Sequence, residues 1–257
     1  MTQTLFKQYG FKHLRPFRSL FVIVGFMRVS EIEALPEVRQ AAQVLTGLEA
    51  RGLVESAIAS GWTRAFLTDS SSSDIDVAYV GSVHYEEAQE HLRSVLDELG
   101  ADPEPWDIKG IWNAEIAYGV TRTVDNYLIY FVDSIDTVFL ASDGKLHDPT
   151  GFGFQDAEKR LLRINDYDRK NGLIQTPREE VNICLEGCRR VARLGWSITP
   201  ESRTRISEGV SEWAKLDSSG VEYFVRKLGS KHVPEKRKSA QAVYEGFGWG
   251  FVFDYLN

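Results

Sequence analysis

Cysteine is scarce in this sequence, and the two cysteines that it has lie one helical turn apart. The 257 residues include only Cys184 and Cys188. A disulfide between positions four apart on one helix would be strained, and the spacing is not that of a zinc knuckle. The five histidines are scattered and form no cluster of metal ligands. The composition argues against a disulfide scaffold and favours a reducing compartment, for which we expect the cytoplasm.

Long hydrophobic runs are lacking as well. The apolar segment 19–27 is only about half as long as a membrane span. Basic residues between Lys7 and Arg18 precede it, as they precede the apolar core of a signal peptide, but charged residues follow where a cleavage site of small residues would stand. We therefore expect a buried segment and no membrane partner.

Charge is distributed unevenly along the chain, whose formal net charge is −7. Residues 1–150 contain 12 basic and 22 acidic residues, whereas residues 151–257 contain 18 and 15. An acidic half suits a divalent-cation site, and a mildly basic half could contact phosphates. The same counts also fit two ordinary solvated surfaces, so charge alone does not decide between these interpretations.

The apolar pattern changes from strands and helices to helices alone after about residue 155. Predicted strands are 54–60, 74–80, 116–120, 127–132 and 137–141. Predicted helices are 36–52, 63–67, 85–99, 155–163, 178–194, 201–215 and 221–228. This order indicates an α+β head on a helical neck.

Two aspartates separated by one residue stand at the start of a predicted strand. A turn of four serines, Ser70 to Ser73, leads into Asp74-Ile75-Asp76. Because strand side chains alternate between faces, Asp74 and Asp76 point the same way and repel each other unless a cation lies between them. Such a pair suits two Mg²⁺ ions roughly 3.5–4 Å apart, which support phosphoryl or nucleotidyl transfer. We therefore predict that both residues are catalytic metal ligands.

A glycine turn lies shortly before this pair. The predicted strand 54–60 ends at Gly61, and a helix that contains Arg64 follows. The first amides of that helix, the arginine and the hydroxyls of Ser72 and Ser73 could hold a triphosphate. On its own, a glycine turn followed by arginine is more often an ordinary loop.

Three ordered segments resemble one family. Arg64 stands ten residues before Asp74, as the arginine of the Gly-Gly-x-Val-Arg-Asp turn stands before Asp-x-Asp in class II CCA-adding enzymes and bacterial poly(A) polymerases. The segment 143–163 is similar to that family's Asp-Gly…Asp-Pro…Leu-Arg segment, and 189–201 to its Arg-Leu-Gly neck signature. The family belongs to the DNA-polymerase-β-like nucleotidyltransferases.

The resemblance implies a fold, a reaction and a set of partners. It implies a nucleotidyltransferase head built on a mixed sheet, followed by a helical neck. The expected ranges are 1–53 for an N-terminal extension and helix, 54–165 for the head, and 166–257 for the neck and C-terminal segment. The implied reaction is Mg²⁺-dependent transfer of NMP from ATP or CTP to the 3′ end of tRNA or a tRNA-like RNA.

A third carboxylate often completes two-metal sites in this superfamily. We expect Asp133, at the end of the predicted strand 127–132, to supply it, with Asp136 as the alternative. Either residue could instead be an ordinary acid in a surface turn. Glu115 and Asp125 are weaker candidates.

Departures from the family pattern concern the nucleotide contacts. Ser60 replaces the first glycine of the opening turn, and Ala65 replaces its aspartate. In the neck, Ile183 stands where the family has its base-reading arginine, and Glu186 stands at the next arginine. The changes leave two alternatives open: a small-molecule or protein acceptor, or a non-catalytic nucleotide-binding relative.

Other neck residues keep the family pattern. The resemblance implies nucleotide contacts for Glu180, Arg189 and Arg190, although ordinary ion pairs would also explain the arginines. The basic segment 226–238 could contact RNA phosphates, but we expect a solvated lysine-rich loop. We expect the aromatic tail 247–255 to cover a core or a dimer contact rather than to stack on bases.

Overall fold

The computed structural model describes residues 28–68, 72, 74–110, 124, 132–166, 176–231 and 234–256. Their contacts divide them into two compact units. The first unit holds the described residues up to 110, Val124 and Ile135–Glu158; the second holds 132–134 and the described residues from Lys159 onward. The apolar run 19–27, the predicted strand 116–120 and most of that at 127–132 lie outside the described residues.

The first unit combines a mixed sheet with helices. Its helices are α1 (Val29–Glu33), α2 (Pro36–Glu49), α3 (Gly61–Thr68), α4 (Tyr85–Leu99) and α5 (Gly153–Glu158). Its strands are β1 (Glu55–Ala59), β2 (Ile75–Val80), β3 (Trp106–Gly110), β4 (Phe139–Ala141) and β5 (Leu146–His147). The strands form one sheet in the order β3-β2-β1-β4-β5. The β2–β3 pair is parallel and the other pairs are antiparallel, which confirms the predicted mixed sheet.

Alternation along the central strands separates a core face from a face that carries small and charged side chains. Ile58 lies opposite Val77 in the β1–β2 register, and both side chains are fully buried. Ser56, on the same face, donates a hydrogen bond from its hydroxyl to the carbonyl of Leu45 in α2, at 3.2 Å. The core face is therefore the one that α2 covers. Asp76 belongs to the opposite face.

Helix α4 connects β2 to β3 as a crossover between parallel strands. Its apolar residues recur at helical spacing, and four of them are buried: Ala88, Leu92, Val95 and Leu96. Gly100 ends the helix in the left-handed conformation, with φ at +63°. The sequence reading predicted this helix but missed β3, because Pro103 and Pro105 precede five residues in which polar and apolar side chains alternate.

The second unit is mainly helical. Its elements are β6 (Leu161–Leu162), α6 (Pro177–Leu194), β7 (Ser197–Ile198), α7 (Pro200–Glu208), α8 (Val210–Trp213), α9 (Ser218–Lys231), α10 (Pro234–Glu245) and a 3₁₀ helix (Gly250–Leu256). A capping box at Thr176 and Glu179 opens α6, and Gly195 closes it with φ at +65°. Cys184 and Cys188 are buried on this helix as free thiols.

Several predicted elements of this unit differ in the structure. The predicted helix 155–163 ends at Glu158, and β6 follows. The predicted helix 201–215 is two helices that meet at Gly209, where an added Cβ would lie 2.3 Å from the sulfur of Cys184. The expected lysine-rich loop at 226–238 is wrong, because α9 and α10 occupy nearly all of it.

The aromatic tail is part of the core of the second unit. Trp249, Val252 and Phe253 are buried in its main hydrophobic cluster. The indole nitrogen of Trp249 donates to the carbonyl of Ile206 at 2.8 Å, which satisfies its polar atom inside that core. The core interpretation of the tail is confirmed. Within the described part of the chain, no helix combines the length and apolarity needed to cross a bilayer.

Candidate functional site

A tight turn between β1 and α3 forms one side of the site. Ser60 adopts a left-handed conformation with φ at +62°, which glycine adopts without strain. A Cβ added at Gly61 would lie 3.0 Å from the hydroxyl oxygen of Ser72 and 3.9 Å from Nη2 of Arg64. The structure therefore brings together three of the predicted phosphate contacts at the start of α3. The fourth, Ser73, lies outside the described residues, as do Ser70 and Ser71.

Arg64 is mainly committed to an internal ion pair. Only 5% of the residue is exposed, and its guanidinium pairs with the buried carboxylate of Asp136. Its Nε is buried and has no hydrogen-bond partner among the described residues. The side chain therefore neutralises Asp136, the alternative third carboxylate, while Nη2 faces the Gly61 turn.

The two aspartates of the sequence motif lie at the start of β2. Asp74 is exposed just before the strand, and its carbonyl accepts a hydrogen bond from the hydroxyl of Ser72 at 3.0 Å. Asp76 is the second residue of the strand, and 41% of its side chain is exposed. Neither carboxylate is buried in the core, so both can exchange ligands with solvent.

The structure adds Asp107 to this pair. In the parallel register of β2 and β3, Asp107 lies directly opposite Asp76, with its side chain on the same face of the sheet. Lys109 lies two residues further along β3; its ammonium pairs with Asp107 and is 4.0 Å from Oδ1 of Asp76. Sequence reasoning missed Asp107, although Trp106-Asp107-Ile108 repeats the apolar-acid-apolar pattern of Ile75-Asp76-Val77.

Electrostatics distinguish this group of carboxylates. Partial burial raises the pKa of Asp76, and the negative charges of Asp107 and Asp74 raise it further, while Lys109 lowers it. The hydrogen bond to Asp107 raises the pKa of Lys109. One ammonium thus leaves Asp76 in a surplus of negative charge, which an additional cation would relieve. Among the described residues, no three histidine, cysteine, aspartate or glutamate side chains converge on one point as a metal-ligand set.

Asp133, the expected third carboxylate, belongs to the second unit. Its side chain is 1% exposed, and its Oδ2 lies 3.5 Å from Nε of Arg190. The residue forms an antiparallel bridge with Ile164. In that unit, Arg190 and Asp133 form a buried ion pair; the catalytic role of Asp133 and the nucleotide contact of Arg190 stay predictions.

The neck residues of α6 are also engaged in ion pairs. Glu180, 8% exposed, accepts hydrogen bonds from Nε and Nη2 of Arg205 at 3.0 and 2.9 Å. Glu186 accepts one from Nε of Arg189 at 2.6 Å and lies 3.2 Å from the ammonium of Lys227. Glu186, which the sequence resemblance aligns with a family arginine, therefore binds Arg189, which the same resemblance aligns with a second one.

Ile183, which the sequence resemblance aligns with the family's base-reading arginine, packs against the hydrophobic core of the second unit. An isoleucine offers no hydrogen bond to a base, and here its side chain contributes to packing. The predicted nucleotide contacts of Glu180 and Arg189 stay predictions; inside the unit, Glu180 is bound by Arg205, and Nε of Arg189 is bound by Glu186.

No protein-family model matches the sequence, and no curated protein matches it. Solved structures do match. A tRNA-processing enzyme in an apo form aligns over 86% of this chain and 59% of its own, at a TM-score of 0.64 and 13% identity. The CCA-adding enzyme of Bacillus stearothermophilus in complex with CTP aligns over 84% of this chain and 53% of its own, at a TM-score of 0.60 and 16% identity.

A third match extends this agreement. The Thermotoga maritima CCA-adding enzyme complexed with tRNA aligns over 88% of this chain and 55% of its own, at a TM-score of 0.58 and 15% identity. The chain thus spans just over half the length of the solved structures that it matches. At these identities the likeness concerns the fold: the chain has the α+β nucleotidyltransferase fold of the CCA-adding enzymes, as its sequence resemblance predicts.

Proposed function

We propose that this protein is a Mg²⁺-dependent nucleotidyltransferase that transfers NMP from ATP or CTP to the 3′ end of a tRNA or tRNA-like RNA. The observation that carries the proposal is the position of Asp76 and Asp107, side by side on neighbouring parallel strands, with Asp74 next to them. Similar folds occur in enzymes whose structures contain CTP, ATP or tRNA.

The chemistry of these side chains fits magnesium. Mg²⁺ prefers oxygen ligands and usually binds one or two protein carboxylates together with substrate phosphates and water. Asp74, Asp76 and Asp107 would hold it, and an ammonium already lies beside the last two. Bound there, Mg²⁺ would polarise the phosphoryl group, make the attacking hydroxyl more acidic and neutralise the leaving pyrophosphate.

The turn between β1 and α3, together with Ser72 just before β2, would position the triphosphate. The amides at the start of α3 are hydrogen-bond donors suited to phosphate oxygens, and the hydroxyl of Ser72 could join them if it turned away from the carbonyl of Asp74. The absence of a side chain at Gly61 keeps this corner open, since a Cβ there would lie 3.0 Å from the Ser72 hydroxyl. Arg64 lies behind the turn with Nη2 facing Gly61, while Nη1 of its guanidinium pairs with Asp136. These groups orient the substrate and need no serine or cysteine nucleophile.

One observation favours a different acceptor and keeps a second candidate open. Glu180 is bound by Arg205, and Ile183 contributes to the core, so α6 offers few groups for reading a base. A nucleotidyltransferase that modifies a small molecule or a protein would not need the base discrimination of a CCA-adding enzyme. We retain this as the alternative.

A transfer assay separates the candidates. The full chain is incubated with Mg²⁺ and each labelled NTP in turn, together with a tRNA that lacks its CCA end. Asp76→Asn is the inactive control. We expect label from CTP or ATP to appear on the RNA with the wild type only.

The other outcomes are equally informative. Label on a small molecule or on the protein itself, with none on RNA, would replace the RNA acceptor by the alternative. Binding of NTP without transfer to any acceptor would contradict an enzymatic function and favour a nucleotide-binding role. Equal transfer by wild type and Asp76→Asn would place the activity elsewhere.

A further inference from the structure

We propose that Lys109 is a built-in counter-ion of the catalytic carboxylates: its ammonium holds Asp76 and Asp107 in the metal-free protein and must leave before a divalent cation binds there. The proposal rests on the proposed metal site. It goes further in naming the residue that sets how readily that site is filled.

The position of Lys109 follows from the strand register. Because side chains alternate along β3, Lys109 and Asp107 project from the same face of the sheet. Lys109 lies opposite Ala78 on β2, as Asp107 lies opposite Asp76. The small methyl group of Ala78 leaves room for the longer lysine side chain to reach back toward the carboxylates.

The ammonium contacts both carboxylates. It forms an ion pair with Oδ2 of Asp107, and it lies 4.0 Å from Oδ1 of Asp76. The described acids do not converge as a metal-ligand set in this state. A cation that bridges Asp76 and Asp107 would use the oxygen atoms that the ammonium now contacts.

Two cations at this position exclude each other for steric and electrostatic reasons. Mg²⁺ binds its oxygen ligands at about 2.0–2.1 Å, which is closer than an ammonium approaches a carboxylate. An ammonium that stayed in contact with the same oxygens would repel the metal ion. Metal binding therefore requires Lys109 to turn away, and the lost ion pair weakens the apparent metal affinity.

The exposure of the pair sets the size of the effect. The side chain of Lys109 is 52% exposed and that of Asp107 is 41% exposed. Solvent screens such a pair, so we expect its removal to increase divalent-ion affinity by about three- to tenfold. Because Lys109 is a surface side chain, its substitution should not affect folding.

The test is calorimetric titration of the full-length, nucleotide-free protein with Mn²⁺, used as the metal probe. Lys109→Met removes the ammonium and keeps a side chain of similar length, and it should bind Mn²⁺ about three- to tenfold more tightly. Lys109→Arg keeps the charge and should stay close to the wild type. The matched control is Lys145→Met, which removes another exposed lysine, one that pairs with Glu33 in the same unit.

Two further variants separate this proposal from the metal site itself. Asp76→Asn should abolish Mn²⁺ binding, whether Lys109 is present or replaced by Met. If Asp76→Asn abolishes binding while Lys109→Met binds no more tightly than the wild type, the metal site stands and the role of Lys109 is overturned. If Asp76→Asn binds Mn²⁺ like the wild type, the proposed metal site is wrong and this proposal fails with it.

Discussion

Two exposed aspartates of the first unit and two buried acids of the second unit are held in opposite ways. In the first unit, Asp76 and Asp107 are each 41% exposed and lie beside a single ammonium. In the second unit, Glu180 and Asp133 are buried, and each pairs with its own arginine. A carboxylate that leaves water stays ionised only when a partner neutralises it, so the removal of one partner from either buried pair should destabilise the fold. The exposed carboxylates remain available for another cation.

The pKa of one exposed aspartate in the second unit is shifted in the opposite direction to that of Asp76. Burial and neighbouring acids raise the pKa of Asp76. At the start of α9, the amide of Gly220 and the hydroxyl of Ser219 lower the pKa of Asp217. Ionisation of Asp76 therefore opposes folding near neutral pH, whereas ionisation of Asp217 supports it. The first unit retains an unfavourable charge, as sites that bind ligands often do.

The most direct test of this difference between exposed and buried carboxylates is to neutralise one exposed carboxylate. Asp76→Asn should reduce the proposed nucleotidyl transfer by at least about a thousandfold, since a proposed metal ligand is lost, and should not lower the thermal unfolding temperature. The measurement is single-turnover transfer together with a melting curve. Asp97→Asn, which removes an exposed acid on α4, should retain full activity. A large loss of stability in Asp76→Asn would show that the exposed carboxylate also holds the fold.

The buried pair should respond in the opposite way. Arg205→Met leaves the carboxylate of Glu180 buried without its partner and should lower the free energy of unfolding by about 3–5 kcal/mol in urea titrations. The double variant Glu180→Met/Arg205→Met removes both charges and should recover much of that loss. If the double variant were as unstable as the single one, the lost packing of Arg205 would be responsible rather than the uncompensated charge.

Backbone strain offers a third comparison, since Ser60 has a positive φ next to the site. Ser60→Gly should raise the free energy of unfolding by up to about 1 kcal/mol, because relief of the left-handed conformation outweighs the added flexibility of the unfolded chain. Ser94→Gly on α4 is the control, and it should lose about 0.5–1 kcal/mol because glycine weakens a helix. Thermal or urea unfolding measures both, and a loss in both variants would contradict strain at Ser60.

The smallest expected effects are differences in pH dependence, measured without divalent ions. A lowered native pKa makes Asp217 stabilising above the ordinary carboxyl range, so the wild-type advantage over Asp217→Ala should shrink as pH falls through that range. A raised native pKa has the reverse sign, so Asp76→Asn should exceed the wild type in stability at neutral pH. That second difference should vanish in acid, where Asp76 is protonated in both states. Parallel pH profiles for the two variants would contradict the opposite shifts.

Much of the fold could be predicted because local patterns agree with tertiary packing. The apolar stripe and terminal glycine define α4, and the predicted range 85–99 matches it fully. Strands β1 and β2 could be predicted from the sequence because apolar residues dominate them. Strand β3 could not be predicted from the sequence in this way. Its five residues alternate in polarity, and they are stable as a strand only through pairing with β2.

The site was predictable only in part, for the same reason. Asp74 and Asp76 are two positions apart in the sequence, so the side-chain alternation of an extended segment relates them. Asp107 joins Asp76 through a strand register, which depends on how α4 returns the chain to the sheet. The partners of Glu180 and Asp136 depend likewise on tertiary contacts, with Arg205 and Arg64, that no local pattern encodes.

The parallel pairing of β2 and β3 limits which insertions the candidate site can tolerate. A slip of one residue between the strands would turn Asp107 and Lys109 to the opposite face, where α2 covers the sheet, and bring Trp106 and Ile108 beside Asp76. An insertion within the 15 residues of α4 that shifted this register could therefore separate Asp107 from Asp76 without altering either residue. Affinity at the proposed metal site would then depend on the register of β2 and β3, and the site would tolerate insertions in α4 only where that register is kept.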